Sequence, residues 1–582
     1  MPDVRLDNVS FAYTGLSEQV LRSIDLTIPE GEFVLLAGPS GCGKSTLALA
    51  VAGLIPSRIT GRLRGAVYLG ERNVSAMSIH EASQHIGMVF QNPEDQLIHI
   101  DVESEVAFGP ENLALPRSEI EQRVEKSLTY TGMEQLRTQE IFALSGGQKQ
   151  RVAISATLAM LPKVLVLDEP TSDLDPVGTR EVLNVLRLLN KQYGMTILLI
   201  EHKIDEIVPW VDRVLLMEEG KVVVDASPRK VFDDVHYWQE LGVSVPQMVQ
   251  LARALPDIFQ GSIPLSIDEA YDALHGTAYA RALLQRNEVQ RKKNVHGPTA
   301  PSGDSVAAQS LLSWESIGLA YGARQVLKDI DVRVMPGEWL AVIGPNGSGK
   351  TSMASLAMGF QSPTQGVIRY KGKVVEAGHI SRQSESMAYL FQAADNMLFG
   401  ATVEQELLFG VKYQRKRPKE IPFSLDQLLK TIDLEKYRRT NPFHLSFGQR
   451  KRLAIGALLT RQPELLILDE PTTGQDEGHA RAFLQFLQQL REREGYTYVM
   501  ITHDMRAVAR YANRVVVLSD GRVCMDDRPE AVFARIDELA QSGILPPPIA
   551  HLHARLCEGQ AIRVDLSVDS FLRSLQPLEV TP

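Results

Sequence analysis

Two carboxylate pairs, two histidines and two glycine loops that each end in a lysine and a hydroxyl give this chain the groups needed to handle a nucleotide triphosphate twice. The loops read Gly38-Pro39-Ser40-Gly41-Cys42-Gly43-Lys44-Ser45-Thr46 and Gly344-Pro345-Asn346-Gly347-Ser348-Gly349-Lys350-Thr351-Ser352. Glycines let successive backbone N–H groups point at phosphate oxygens, the lysine reaches the terminal phosphates, and the hydroxyl of Ser45 or Thr351 can ligate Mg²⁺. The carboxylate pairs close apolar runs, Leu165-Val166-Leu167-Asp168-Glu169 and Leu466-Ile467-Leu468-Asp469-Glu470. Asp168 or Asp469 is suited to holding Mg²⁺ through water, and Glu169 or Glu470 to orienting or deprotonating an attacking water. His202 and His503 end further apolar runs, where an imidazole could contact the γ-phosphate and stabilise developing charge.

These groups need a scaffold that delivers them to one edge. Each glycine loop follows a strand-like run, residues 33–37 and 339–343. The run 164–167, the helical pattern of Val182, Leu183, Val185, Leu186 and Leu189, and the run 196–200 alternate as a parallel sheet flanked by helices requires. The expected class is α/β, with ligands at the strand ends. Lys44 and Lys350 differ by 306 positions, whereas Gln91 and Gln392, Ser145 and Ser446, Asp168 and Asp469, and His202 and His503 differ by 301. A constant offset means duplication, with five residues fewer in the second copy, expected within 359–386. The repeat continues into appended helical segments, Val231, Gly242 and Pro246 matching Val532, Gly543 and Pro547. Residues 290–304 are polar and rich in Pro and Gly, which predicts a flexible linker.

With 582 residues, 44% hydrophobic and 23% charged, the chain has material for two well-cored halves. A net charge of −10 disfavours nucleic acid as a partner. The first residues, Met1-Pro2-Asp3-Val4-Arg5-Leu6, lack the sections of a signal peptide, and no apolar run is long enough to span a bilayer. Cys42, Cys524 and Cys557 are few and far apart, which fits a reducing compartment and argues against a clustered metal site. Cys42 stands where the second loop has Ser348, a slot that needs only a small residue.

Leu144-Ser145-Gly146-Gly147-Gln148 and Leu445-Ser446-Phe447-Gly448-Gln449 precede helical runs. The ordered set of glycine loop, glutamine, Leu-Ser-Gly-Gly-Gln, Asp-Glu and histidine resembles the ATPase domain of ATP-binding cassette proteins. The resemblance covers residues 4–235 and 312–535, with appended helical segments at 236–289 and 536–582 and a linker at 290–311. It implies in each half an antiparallel β subdomain, a RecA-like parallel core and a helical subdomain. It also implies that Ser145, Gly147 and Gln148, and Ser446, Gly448 and Gln449, bind ATP held by the opposite domain in an intramolecular head-to-tail pair. Gln91 and Gln392 match the mobile glutamine that reaches Mg²⁺. Tyr13 and Tyr321 match the adenine-stacking position, although an alternating strand also suits a packing tyrosine. Phe447 departs from the pattern, while Ser446 and Gly448 keep the groups expected to face phosphate.

The segments 92–97 and 102–113, echoed by 395–410, are similar to the energy-coupling ATPases of prokaryotic energy-coupling factor importers. That similarity implies ATP hydrolysis at the cytoplasmic face of the cell membrane, with a transmembrane coupling subunit and a substrate-capture membrane protein as partners. The cargo it implies is a vitamin or related micronutrient, thiamine or its hydroxymethylpyrimidine precursor being nearest, with cobalt or nickel ions as the alternative. A twin-cassette translation factor on the ribosome would need a long charged arm between the halves and basic surfaces, and a DNA-repair cassette would need heptads. The chain has neither.

Overall fold

The computed structural model describes residues 3–15, 18–172, 174–294, 310–322, 324–378, 386–391, 394–412 and 424–576. They divide into two compact units, Met1–Glu269 with Asp476–Gly478, and Ala270–Gln475 with His479–Pro582.

In the first unit the central sheet runs in the order Lys221–Ala226, Arg213–Glu218, Phe33–Ala37, Thr196–Ile200, Val164–Asp168, Ile86–Val89. All neighbours pair in parallel except Lys221–Ala226 with Arg213–Glu218. Phe33–Ala37 and Thr196–Ile200 are buried at every position. Helices cover both faces of a parallel sheet, so such strands are apolar throughout instead of alternating. The register pairs Leu36 with Ile200 and Asp168 with Ile200. Three strands therefore end together, and the residues just beyond their ends, Gly38, Glu169 and His202, emerge at one sheet edge.

A second, antiparallel sheet has the order Leu21–Ile28, Val4–Tyr13, Gly61–Leu69, Arg72–Asn73. Helices Val102–Asn112, Arg117–Thr131 and Gly146–Leu158 pack as a separate layer around Val106, Val124, Leu128 and Val152. The second unit repeats this plan, with a central order of Met387–Leu390, Leu465–Asp469, Thr497–Ile501, Trp339–Ile343, Arg514–Ser519, Arg522–Asp527 and an antiparallel sheet built on Leu312–Tyr321. The α/β class and three-part plan expected for each half are both present.

The five-residue difference has a definite place. Gly53 and Gly359, with φ of 73° and 72°, follow the two loop helices and keep the offset of 306. Gly65 and Gly366 keep the offset of 301, and in each a Cβ would stand 2.3 Å from a backbone carbonyl oxygen of the neighbouring strand. The missing residues thus lie between Gly359 and Gly366, and they shorten the strand from Gly61–Leu69 to Gln365–Tyr370.

The appended segments differ from expectation at one boundary. Helix Ala278–Asn294 runs through the first residues of the stretch 290–304 that composition marks as linker. It belongs to the second unit, which begins at Ala270, so the segment 236–289 is not one piece of the first half. The cause is packing: Ala280, Leu283 and Asn287 form one buried helical stripe, and the Asn287 side chain donates to the Gln560 carbonyl at 3.1 Å. Residues 295–309 lie outside those described. Upstream, Trp238 is buried against Phe232 and donates its indole N–H to the Val231 carbonyl at 3.0 Å. Trp238→Ala should destabilise the first unit by about 3–5 kcal/mol through the lost volume and bond. An earlier first transition in urea, with the second unit's transition unmoved, is the expected reading.

Candidate functional site

Both glycine loops need their first glycine for steric reasons. Gly38 has φ 152° and Gly344 φ 156°, and a Cβ there would come within 2.4 Å of the Met217 carbonyl oxygen or 2.1 Å of that of Leu518. The loops lead directly into helices Lys44–Val51 and Lys350–Ala357, capped by Gly43 and Gly349 in the left-handed region. The helix-start N–H groups that have no intrahelical acceptor are the physical basis of anion binding here. Lys44 donates to the carbonyls of Gly38 and Pro39 at 2.8 and 2.9 Å, and Lys350 to those of Gly344 and Pro345 at the same distances. Both lysines are buried against their own loops. Burial pushes the Cys42 thiol up, which leaves it neutral and fits a slot that needs only a small side chain.

In the first unit Gln91, Glu169 and His202 form one cluster. Gln91 donates its amide to Glu169 Oε2 at 2.9 Å, and His202 Nε2 lies 3.0 Å from Glu169 Oε1. Burial pushes the Glu169 carboxyl upward, but the charge and hydrogen bond of His202, together with the Lys44 ammonium, hold it below the usual range. Asp168 behaves oppositely: burial pushes it up to about 6, against an opposing hydrogen bond from Ser45. Its Oδ1 is buried and has no hydrogen-bond partner. An orphaned carboxylate oxygen beside a serine hydroxyl at a phosphate loop is the donor set a hard divalent cation takes, so these residues fit Mg²⁺.

The second unit holds the same parts in a different arrangement. His503 Nε2 lies 3.0 Å from Asn346 Oδ1 and 3.5 Å from Glu470 Oε1, and the His503 backbone N–H donates to Glu470 Oε2 at 3.3 Å. Thr351 donates to Asp469 Oδ2 at 3.0 Å, and burial again raises the aspartate. Gln392 lies outside the described residues.

The signature serines cap helices Gly146–Leu158 and Phe447–Leu459, which begin at the signature itself and not after it. Ser145 and Gln148, like Ser446 and Gln449, exchange side-chain and backbone hydrogen bonds in a capping box, which satisfies the N-cap amide and the third amide of each helix. A Cβ on Gly146 would meet only Leu174, at 3.9 Å, whereas a Cβ on Gly448 would stand 2.7 Å from the Gly474 carbonyl oxygen. The first glycine position of the intact signature thus has room for a side chain, whereas Gly448 is closed off by backbone. The two tyrosines also part company. Tyr13 shares a hydrogen bond with Thr46 at 2.9 Å and packs edge-on against Phe11, while Tyr321 is half exposed and donates to Gln361 at 2.6 Å. Among the remaining loop residues, Ser348 is buried in place of Cys42, and Ser352 lies in the loop helix.

Sequence reasoning missed a pair of anchors. Glu105 and Glu406, 301 residues apart and both buried, accept backbone N–H groups from the loops after each glutamine, at 2.9 Å from Ile98 and 2.7 Å from Phe399. The acidic residue recurring in the first turn of both helices was the available signal. Around these loops, Ile98, Phe108 and Phe142 are exposed, and so are their repeat counterparts Phe399, Phe409 and Phe443. Their adjacency is direct: Ile141 N–H donates to the Ile100 carbonyl at 2.8 Å, and the rings of Phe399 and Phe409 are 6.2 Å apart. Another missed residue, Tyr389, touches Asp469.

The chain is similar to known proteins over most of its length. The family profile described as ABC transporter matches residues 21–172 and 327–473. A Methanosarcina mazei protein provisionally named an ABC transporter ATP-binding protein is 40% identical over 555 residues, covering 94% of this chain and 93% of its own length. A Bacillus subtilis strain 168 protein provisionally named HMP/thiamine import ATP-binding protein YkoD is 34% identical over 549 residues, covering 94% and 95%. The solved structure of cbiO1 from Clostridium perfringens, described as part of the ABC transporter complex cbiONQ, is 34% identical over 41% of this chain and 94% of its own, with a TM-score of 0.37.

Proposed function

The chain belongs to the ABC transporter family as an ATP-binding, ATP-hydrolysing member with two cassettes, and we propose that it is the energy-coupling ATPase of a membrane importer for a vitamin or related micronutrient, of the energy-coupling factor type. The favoured cargo is thiamine or its hydroxymethylpyrimidine precursor, on the name of the Bacillus subtilis relative and on the segments 92–97 and 102–113. The observation that carries the reading is the exposed apolar set placed identically in both repeats, beside the loop that follows the glutamine. Large apolar side chains that stay exposed at matched positions in two otherwise well-packed repeats mark a surface built to be covered. No helix among the described residues is long and apolar enough to cross a membrane. In this reading a transmembrane coupling subunit and a substrate-capture membrane protein are its partners, and the chain works peripherally at the cytoplasmic face.

At each site the residues divide the work. Lys44 and Lys350, with the loop N–H groups, bind the β- and γ-phosphates and fix their orientation before reaction. Ser45, Asp168 and Gln91 in one site, and Thr351, Asp469 and Gln392 in the other, are the residues that would hold Mg²⁺, which supplies charge neutralisation on the phosphate oxygens. Glu169 and Glu470 take or orient the proton of the attacking water, and His202 and His503 stabilise charge on the γ-phosphate.

Uptake in cells tests the reading. Radiolabelled thiamine or hydroxymethylpyrimidine should cease to accumulate when Lys44 and Lys350 are both changed to Ala, and Phe142→Asp with Phe443→Asp should abolish co-purification of membrane proteins. Loss of cobalt or nickel uptake instead, or co-purification with ribosomes or DNA, would contradict it.

A further inference from the structure

The two cation-binding aspartates are held differently, and the difference comes from one strand position. In the first unit that position is Met88, which adds no hydrogen bond to the one Asp168 has from Ser45, and Asp168 Oδ1 is orphaned. In the second it is Tyr389, on strand Met387–Leu390, which pairs in parallel with Leu465–Asp469 and sets Leu390 beside Leu468. The Tyr389 hydroxyl donates to Asp469 Oδ2 at 2.8 Å, and the same oxygen accepts from Thr351 at 3.0 Å. Both Tyr389 and Asp469 are almost wholly buried. Burial, with the neighbouring carboxylate, pushes the phenol far above its ordinary range, so the hydroxyl stays a donor. The ring itself is fixed between Phe391, 4.7 Å away and edge-on, and Phe360, at 5.8 Å.

We propose that Tyr389 is a positioning residue of the second nucleotide site: its hydroxyl locks Asp469 Oδ2 together with Thr351, so that this site binds its divalent cation on a carboxylate held by two hydroxyls, where the first site has that of Ser45 without a second. The inference rests on the assignment of Asp469 to the cation. A neighbour that orients a carboxylate ligand or its water alters metal affinity by about tenfold or more. It should leave the phosphate contacts of the loop unchanged, because the Tyr389 hydroxyl bonds Asp469 whereas Lys350 is held by the Gly344 and Pro345 carbonyls.

The test uses the full chain carrying Lys44→Ala, so that only the second site loads. Mn²⁺ binding in the presence of a non-hydrolysable ATP analogue is read by electron paramagnetic resonance, and analogue affinity is read separately in EDTA. Tyr389→Phe, which keeps the ring packing, should weaken Mn²⁺ binding about tenfold and leave metal-free analogue affinity within twofold. Tyr389→Met, the residue of the first copy, should match it. A change in Mn²⁺ affinity below threefold overturns the inference, and so does an equal loss of metal-free affinity, or an effect of Met without one of Phe. If the parent chain shows no analogue-dependent Mn²⁺ binding, the assignment of Asp469 itself falls, and the inference with it.

Discussion

Changing Glu169 and Glu470 together to Gln should lower ATP turnover by about 10²–10⁴-fold while ATP still binds. The amide keeps the size of the carboxylate and most of its hydrogen bonds but cannot take a proton from water. Both glutamates sit at φ near 50°, in the left-handed region that non-glycine residues rarely occupy, so the backbone holds each side chain at the sheet edge at a cost in strain. Each single change should leave the other site working and reduce turnover only several-fold, because Lys44 and Lys350 sit in equally complete loops. A single change that abolishes turnover while its counterpart changes nothing would contradict two working sites. Steady-state phosphate release by the purified chain reads all three variants.

The second large effect is steric. Gly344→Ala places a methyl 2.1 Å from the Leu518 carbonyl oxygen and Gly38→Ala places one 2.4 Å from that of Met217, and in both the obstacle is backbone in a central strand that cannot yield. Either substitution should distort its loop and weaken ATP binding in its own half by more than about 100-fold, a loss of some 2.7 kcal/mol. Gly347→Ala is the control. Its φ of 79° makes alanine unfavourable by about 1–2 kcal/mol, but nothing lies within 4 Å of the new methyl. Calorimetric titration should show one ATP site after Gly344→Ala and two after Gly347→Ala, the second of them weakened.

The parts of the candidate site were legible in the sequence because their patterns are local. A glycine loop after an apolar strand, and a carboxylate pair ending another, carry their meaning within a few residues, and the constant offset of 301 tied the copies together. What stayed hidden depends on neighbours far along the chain. Tyr389 reads as one more apolar strand residue until the register brings Leu390 beside Leu468 and its hydroxyl onto Asp469. The crowding at Gly448 is hidden in the same way, because the carbonyl oxygen that closes it off belongs to Gly474, far along the chain. The helix through Asn294 was obscured by composition, since the polar run 290–294 ends a helix whose buried stripe lies earlier, at Ala280, Leu283 and Asn287. Glu105 and Glu406 passed for ordinary first-turn acids, because nothing in the sequence says that their carboxylates turn toward the preceding loop.

If one chain carries two ATP-hydrolysing sites, the Glu169→Gln, Glu470→Gln chain should retain two nucleotides after incubation with Mg²⁺ and doubly labelled ATP and rapid gel filtration. Close to two ATP molecules per chain, uncleaved, is the expected count. One ATP per chain, or ADP at either site at the rate of the unaltered protein, would contradict it.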